Sequence, residues 1–144
     1  MSLIKSTAAD KAFSKCVRER SLWKCERCGA QHEVNSQGLH CSHFYSRGNW
    51  SVRFEPLNAF AHCYGCHQYL SGRPEEFRVW AQQAMGVKAY EVLIEKSQDI
   101  SIGRATRKTK GIGPIARWFR DQHQVIKDQR EQGVSGRIEF WGWE

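Results

Sequence analysis

Cys25-Glu26-Arg27-Cys28 and Cys63-Tyr64-Gly65-Cys66-His67 are the stretches whose reading decides the fold. Each Cys-x-x-Cys sets two thiolates on one tight knuckle, and two knuckles complete a tetrahedral four-sulfur zinc site. Between them lie Leu39-His40-Cys41-Ser42-His43-Phe44, then Arg47, Trp50, Arg53 and Asn58. A zinc ribbon with no further task has no need of clustered histidines, an Asn on the return strand and a His directly after its last Cys. The zinc reads as a staple, and the chemistry as lying between its two halves.

Working outward, Leu39 to Ser46 reads as a strand, Gly48-Asn49 as turn material and Arg53 to Ala61 as the returning strand. Pro56 in that strand suits an edge or a bulge. Cys66-His67 opens a short helix that stops near Ser71-Gly72. Upstream, Thr7-Ala8-Ala9-Asp10 resembles a capping box with Asp in place of Glu, and Phe13, Cys16, Val17 and Arg20 recur at helical spacing, which predicts a helix over 8–20. Cys16 then lies on an apolar helix face, and strand alternation turns Cys41 away from His40 and Ser42, so both read as small buried residues. His32 and His62 read as bystanders. Pro74 and Gly86 bound a further helix, and another runs from about Val87 to Lys96.

Residues 97–113 change character. Arg104, Arg107, Lys108 and Lys110 stand among Gly and Thr with almost nothing to bury, which reads as a linker or a phosphate-contacting arm. Pro114 starts a helix carrying Ile115, Trp118, Phe119, Val125 and Ile126, and Gly133 stops it. Its apolar face serves either to pack on the core or to pair with a second copy in a homodimer. The tail Ile138-Glu139-Phe140-Trp141-Gly142-Trp143 is aromatic and needs cover. The organisation expected is therefore a zinc-stapled domain with an amino-terminal helix (1–97), a basic linker (98–113), and a carboxyl-terminal amphipathic helix with its tail (114–144).

The 144 residues hold 22 Lys and Arg against 15 Asp and Glu, a formal net charge of +7. Residues 104–130 alone carry eight basic side chains against Asp121 and Asp128, nearly the whole of that excess. A polyanionic partner, DNA, is expected, because cations that neutralise phosphates release condensed counterions. Membrane is the rival anion, but no apolar run approaches the roughly 18–20 residues of a span. The opening Met1-Ser2-Leu3-Ile4-Lys5-Ser6 lacks the apolar core and cleavage site of a secretory signal, so six cysteines read as metal ligands and free thiols in a cytoplasmic protein.

Hydrolysis of a phosphodiester needs an activated water, stabilisation of charge at phosphorus and neutralisation of the leaving 3′-oxygen. One bound cation can supply the last two, and a neutral imidazole the first. His43 is the expected general base, its ring oriented by a backbone hydrogen bond. His67 is the expected ligand of a catalytic cation, and Asn58 the brace of the loop that carries His43. Arg47 and Arg53 flank the hairpin as phosphate grips, and Trp50 between them is placed to stack on an unpaired base or to pack.

The order His43, Asn58, His67 resembles that of HNH, or ββα-metal, nucleases. More closely, Cys25 and Cys28, His40-Cys41-Ser42-His43-Phe44, Ser46-Arg47, Arg53-Phe54, Asn58 and Cys63-x-x-Cys66-His67 resemble the NinG/Rap family of phage recombination endonucleases, a Cys₄-zinc branch of that superfamily. The likeness runs from about residue 10 to 90. It implies an α+β, zinc-stapled ββα-metal core, treble-clef-like, with flanking helices. It also implies an endonuclease acting on branched or single-strand-containing DNA in the bacterial host cytoplasm. Junction-resolving endonucleases of the endonuclease VII type are a more distant likeness.

Two departures matter. The family places an acidic ligand where this chain has His40, and many HNH enzymes have an acid where it has Ser42. The cation would then be held by His40, or by Ser42 through water, together with His67. Imidazoles without carboxylate suit Mn²⁺, Ni²⁺ or Zn²⁺ at least as well as Mg²⁺. Two other classes stay open: a catalytically inactive zinc-dependent DNA-binding module, and a zinc-stapled interaction protein that recruits a partner through its helix and Trp-rich tail.

Overall fold

The computed structural model describes residues 4–143. Residues 1–3, on which the reading of the amino-terminal segment partly rests, and Glu144 lie outside them. The described residues form a small α+β domain of one two-stranded sheet and six α-helices.

Helix α1 spans Ala8–Arg20 and starts on a complete capping box. The Thr7 hydroxyl accepts from the Asp10 amide at 3.2 Å, and the Asp10 carboxylate accepts from the Thr7 amide at 2.8 Å. Asp thus does the work usually given to Glu. The helix buries Phe13, Cys16 and Val17.

Strand β1 (Leu39–His43) pairs antiparallel with β2 (Ala59–Cys63), in the register Leu39 with Cys63, Cys41 with Ala61 and His43 with Ala59. Both strands are shorter than the sequence reading. Pro56, which has no N–H and a fixed φ, does not join an edge strand; it opens a 3₁₀ turn, Pro56–Asn58. Glu55 caps that turn by accepting from the Leu57 amide at 2.9 Å. Arg53 therefore sits in the loop between the strands, and Asn58 ends the turn one residue before β2.

The hairpin has two faces. Leu39, Cys41 and His43, with Ala59, Ala61 and Cys63, face α1. His40 and Ser42, with Phe60 and His62, face α2 (Tyr64–Ser71) and α3 (Pro74–Met85), where Phe60, Leu70, Phe77 and Ala81 form a second apolar cluster. Helix α4 (Val87–Ser97) follows at Gly86, whose φ of 88° lets the chain reverse between helices without strain.

Residues 98–113 are not a linker. They hold helix α5 (Ile100–Lys108), capped by the Asp99 carboxylate on the amides of Ser101 and Ile102. The helix docks through its small residues. A Cβ on Gly103 would lie 2.6 Å from Ser51 Oγ, and that hydroxyl donates to the Asp99 carbonyl at 2.7 Å. Close backbone approach replaces the bulky apolar face whose absence made the segment look unstructured.

Helix α6 (Pro114–Glu131) lies along α1 and buries Ile115, Ala116, Phe119 and Ile126. Phe13 and Phe119 meet edge to face at 5.1 Å, and the Cys16 thiol donates to the Phe119 carbonyl at 3.2 Å. Of the two roles open to its apolar face, packing on the core is the one that the chain itself fills. Ile138 and Phe140 of the tail cover the same core, with the Arg20 guanidinium 5.2 Å from the Phe140 ring.

Candidate metal centre

The four knuckle sulfurs of Cys25, Cys28, Cys63 and Cys66 all lie within 4.8 Å of one another. Cys28 Sγ and Cys63 Sγ are 3.7 Å apart, too far for a disulfide. That separation matches the edge of a tetrahedron with Zn–S bonds of about 2.3 Å, which is roughly 3.8 Å. The amides of Cys28 and Cys66 each point at the first sulfur of their own knuckle at 3.5 Å, and Arg27 Nη1 donates to Cys66 Sγ at 3.4 Å. Burial pushes the Cys25 thiol up, but backbone hydrogen bonds from Cys28, Cys63 and Arg27 outweigh it and bring it down to about 7. Burial, with the neighbouring thiols, pushes Cys66 up to about 12. Without a cation the cluster resists full ionisation, whereas a bound cation deprotonates its thiols outright. The donor set and spacing fit zinc.

The knuckles position a second group. Cys63 ends β2 and caps α2, so His67 falls in the first turns of that helix beside His40 of β1. The Nδ1 atoms of His40 and His67 are 2.9 Å apart, with the rings nearly perpendicular. Two imidazole nitrogens on one divalent ion, each at about 2.0–2.1 Å, lie roughly 2.9–3.4 Å apart, so the pair fits adjacent ligand positions. Burial, then the neighbouring His40, holds His67 below the usual imidazole range, in the neutral form a ligand needs. On the same face of the hairpin, Ser42 Oγ and both ring nitrogens of His62 are buried without a partner. Among the described residues no third His, Cys, Asp or Glu joins the pair to make a three-ligand cluster.

His43 lies on the opposite face of the hairpin from that pair. Its ring stacks on Phe13 at 6.0 Å, a backbone hydrogen bond ties it to Arg53, and Nε2 is buried with no partner. Burial pushes its pKa down to about 4, with the Arg47 charge adding to the shift. Asn58, fully buried, bridges the loop after His43: its amide donates to the carbonyls of Tyr45 and Val52 at 3.0 and 3.2 Å, and its oxygen accepts from the Tyr45 amide at 2.8 Å.

The residues expected to meet DNA divide. Arg53 is only 2% exposed, and its Nε and Nη2 reach the two Asp10 oxygens at 3.1 and 2.7 Å. It is an internal brace, not a phosphate grip, because its donors are spent on Asp10 and on the Lys5 carbonyl. Arg47 remains partly exposed beside Asp10. Trp50 is half-buried under the Arg53 guanidinium, 4.2 Å from its ring centre. Arg104, Arg107, Lys108 and Lys110 are exposed on α5 and the turn after it.

Some structural parts escaped the sequence reading. Arg20, 1% exposed, donates to the carbonyls of Pro56 and Ala59 at 3.0 and 2.7 Å and so pins the start of β2 to α1. Asp10, read only as a cap, is also the counter-ion of Arg53. A lone Arg or Asp in a helix carries no signal of a partner in a distant loop.

No helix among the described residues is long and apolar enough to cross a membrane. No curated protein and no solved structure matches the chain. Over residues 4–111, however, it matches the family model described as Bacteriophage Lambda NinG protein, and with three-quarters of its length covered the chain belongs to the NinG family of phage proteins.

Proposed function

We propose that the chain is a metal-dependent endonuclease of the HNH type that hydrolyses DNA phosphodiesters, on branched or single-strand-containing recombination intermediates. The observation that carries this reading is the His40–His67 pair, two ring nitrogens at ligand spacing where the hairpin meets α2 beside the four-cysteine staple. The resemblance to phage recombination endonucleases supports the substrate class.

In this reading His40 and His67 hold a divalent cation. When bound it supplies Lewis-acid stabilisation of the phosphoryl and leaving oxygens. With no carboxylate in the pair, Mn²⁺, Ni²⁺ or Zn²⁺ serves at least as well as Mg²⁺. His43 is the general base: burial keeps its ring neutral, and its backbone hydrogen bond to Arg53 fixes its orientation. Asn58 holds the loop that follows it, and Arg47 and the basic face of α5 meet the phosphate backbone. Nε2 is buried without a partner, so to act as a base it must first be reached by the attacking water.

That burial, and the separation of His43 from the His40–His67 pair by the hairpin, favours a second reading, a zinc-dependent DNA-binding module without catalysis. One assay separates them: zinc-loaded protein on linear, single-stranded, flapped and four-way DNA, with and without added Mn²⁺ or Mg²⁺. The nuclease reading expects metal-dependent cleavage that falls by about 10²–10⁴ in His43→Ala. It expects His67→Ala to lose cleavage and to regain part of it at raised metal. Binding without cleavage selects the module, and no DNA binding selects an interaction protein.

A further inference from the structure

A cavity of about 930 Å³ opens between the loop before the 3₁₀ turn, α5, α6 and the tail. Trp50, Trp118, Trp141 and Trp143, four of the six tryptophans of the chain, converge on it. Trp118 and Trp143 meet edge to face at 6.2 Å, and the Trp118 indole N–H donates to the Trp141 carbonyl at 3.2 Å, so the rings are held in place rather than splayed. Yet Trp141 is 70% exposed and Trp118 38% exposed. Indole surface held open to water marks a binding surface.

The polar groups around the cavity narrow its occupant. On one side stand the carboxylates of Glu55 and Glu139, with Lys96 paired to Glu55 at 2.5 Å. Both carboxylates are already ion-paired, Glu139 with Arg137, so stacking on the rings is the main contact the cavity offers a ligand. On the other side, α5 lends Ile102, Ala105 and Thr106 to the lining; Arg104, Arg107 and Lys108 on the same helix, and Arg117 before Trp118 on α6, are exposed outside the lining, on the helices that rim it. Rings for stacking beside a run of cations is the arrangement that takes single-stranded nucleic acid.

We propose that this cavity docks an unpaired nucleobase of single-stranded DNA, with the flanking phosphates held by the basic residues of α5 and the start of α6. The proposal rests on the DNA-directed reading above and extends it to a site away from the His40–His67 pair. Trp118, Trp141 and Trp143 lie beyond the residues matched to the family, so three of the four cavity tryptophans come from the carboxyl-terminal part of this chain. Stacking tolerates any base, so the pocket selects unpaired over paired strands and not one sequence over another.

The test uses the zinc-loaded full chain without added divalent metal, titrated with oligothymidylate, a matched oligomer of abasic deoxyribose units, and a blunt duplex. Intrinsic tryptophan fluorescence and affinity are both followed. Oligothymidylate should quench the fluorescence and bind about tenfold or more tightly than the abasic oligomer, the scale of one base–aromatic stack. Trp141→Ala should erase most of that difference and leave duplex affinity unchanged. The abasic comparison on the native chain needs no variant to fold. Equal binding of the two oligomers, no binding of either, or an unchanged preference in Trp141→Ala overturns the pocket. Base-dependent binding without any cleavage would remove the nuclease reading and leave the pocket standing; cleavage without base-dependent binding would do the reverse.

Discussion

Replacing Asp10 by Asn should destabilise the protein by about 3 kcal/mol, the low end of the range for breaking a buried ion pair by removing one partner. The figure follows from what the carboxylate holds. Arg53 is almost fully buried, and two of its nitrogens reach the Asp10 oxygens at 3.1 and 2.7 Å. The same carboxylate accepts from the Thr7 amide and hydroxyl at 2.8 and 2.9 Å. Asn keeps the shape and one acceptor, so part of the cap survives, but the Arg53 charge loses its counter-ion in a place where water cannot replace it. For a chain of this size, about 3 kcal/mol corresponds to a fall in Tm of roughly 6–12 °C. Hydrogen bonding to Arg53 and Thr7, with the Arg53 charge, outweighs burial and holds the Asp10 carboxyl below its ordinary 3.8. A depressed carboxyl contributes stability that is fully present above the unfolded value and lost as pH falls through the folded one. The gap between wild type and Asp10→Asn should therefore be constant near neutrality and narrow once pH drops below about 3.8. Thermal and urea unfolding of both proteins measure it, each held in excess zinc and compared only at pH values where bound zinc is still found in both. A variant within about 1 °C of wild type would show that Arg53 is satisfied without Asp10. A gap that stays constant into acid would show that ionisation of Asp10 is not what stabilises the loop.

Elemental analysis should find about one zinc per chain, and chelation or Cys63→Ala should unfold it. Structural zinc contributes apparent free energies of about 10–16 kcal/mol in zinc-finger peptides, comparable to the whole stability of a small domain; a folded, metal-free Cys63→Ala protein would refute this. Changing Arg104, Arg107, Lys108 and Lys110 together to Gln should leave Tm near wild type, since all four are exposed, and flatten the salt dependence of DNA binding by about 0.9 in log–log slope for each phosphate no longer neutralised. An unchanged slope would mark that charge as a solvated face. Deleting α6 and the tail, by contrast, should unfold the chain rather than merely weaken binding, because Ile115 and Phe119 are wholly buried against α1, and circular dichroism would read this directly.

The helices at 8–20, 74–85 and 114–131 were legible because each carries its own punctuation: a capping box or a Pro at the start, and apolar residues at helical spacing behind it. The four-cysteine cluster was legible because its sulfurs are paired in sequence, so local spacing alone brings each pair within reach. Helix α5 was not, since Gly103 and Thr106 dock by smallness, and a small residue looks the same in a linker as in a close approach. The strands were overestimated because backbone pairing depends on a partner, and Pro56 with the Asn58 side-chain bridges draws residues 44–58 into a loop instead.

Residue types and short spacings thus determined the four-cysteine cluster, the order of two strands and a helix, and the candidate histidines. Tertiary structure alone decided which side chains share a face and which charges are spent internally. It set His40 beside His67 and turned His43 to the other side of the hairpin, it buried Arg53 on Asp10, and it gathered four tryptophans from three segments around one cavity. The physical reason is common to all of these. A side chain's direction follows from local backbone, but its partner, its exposure and the charge it presents depend on segments far away in sequence, which only the packed chain brings together.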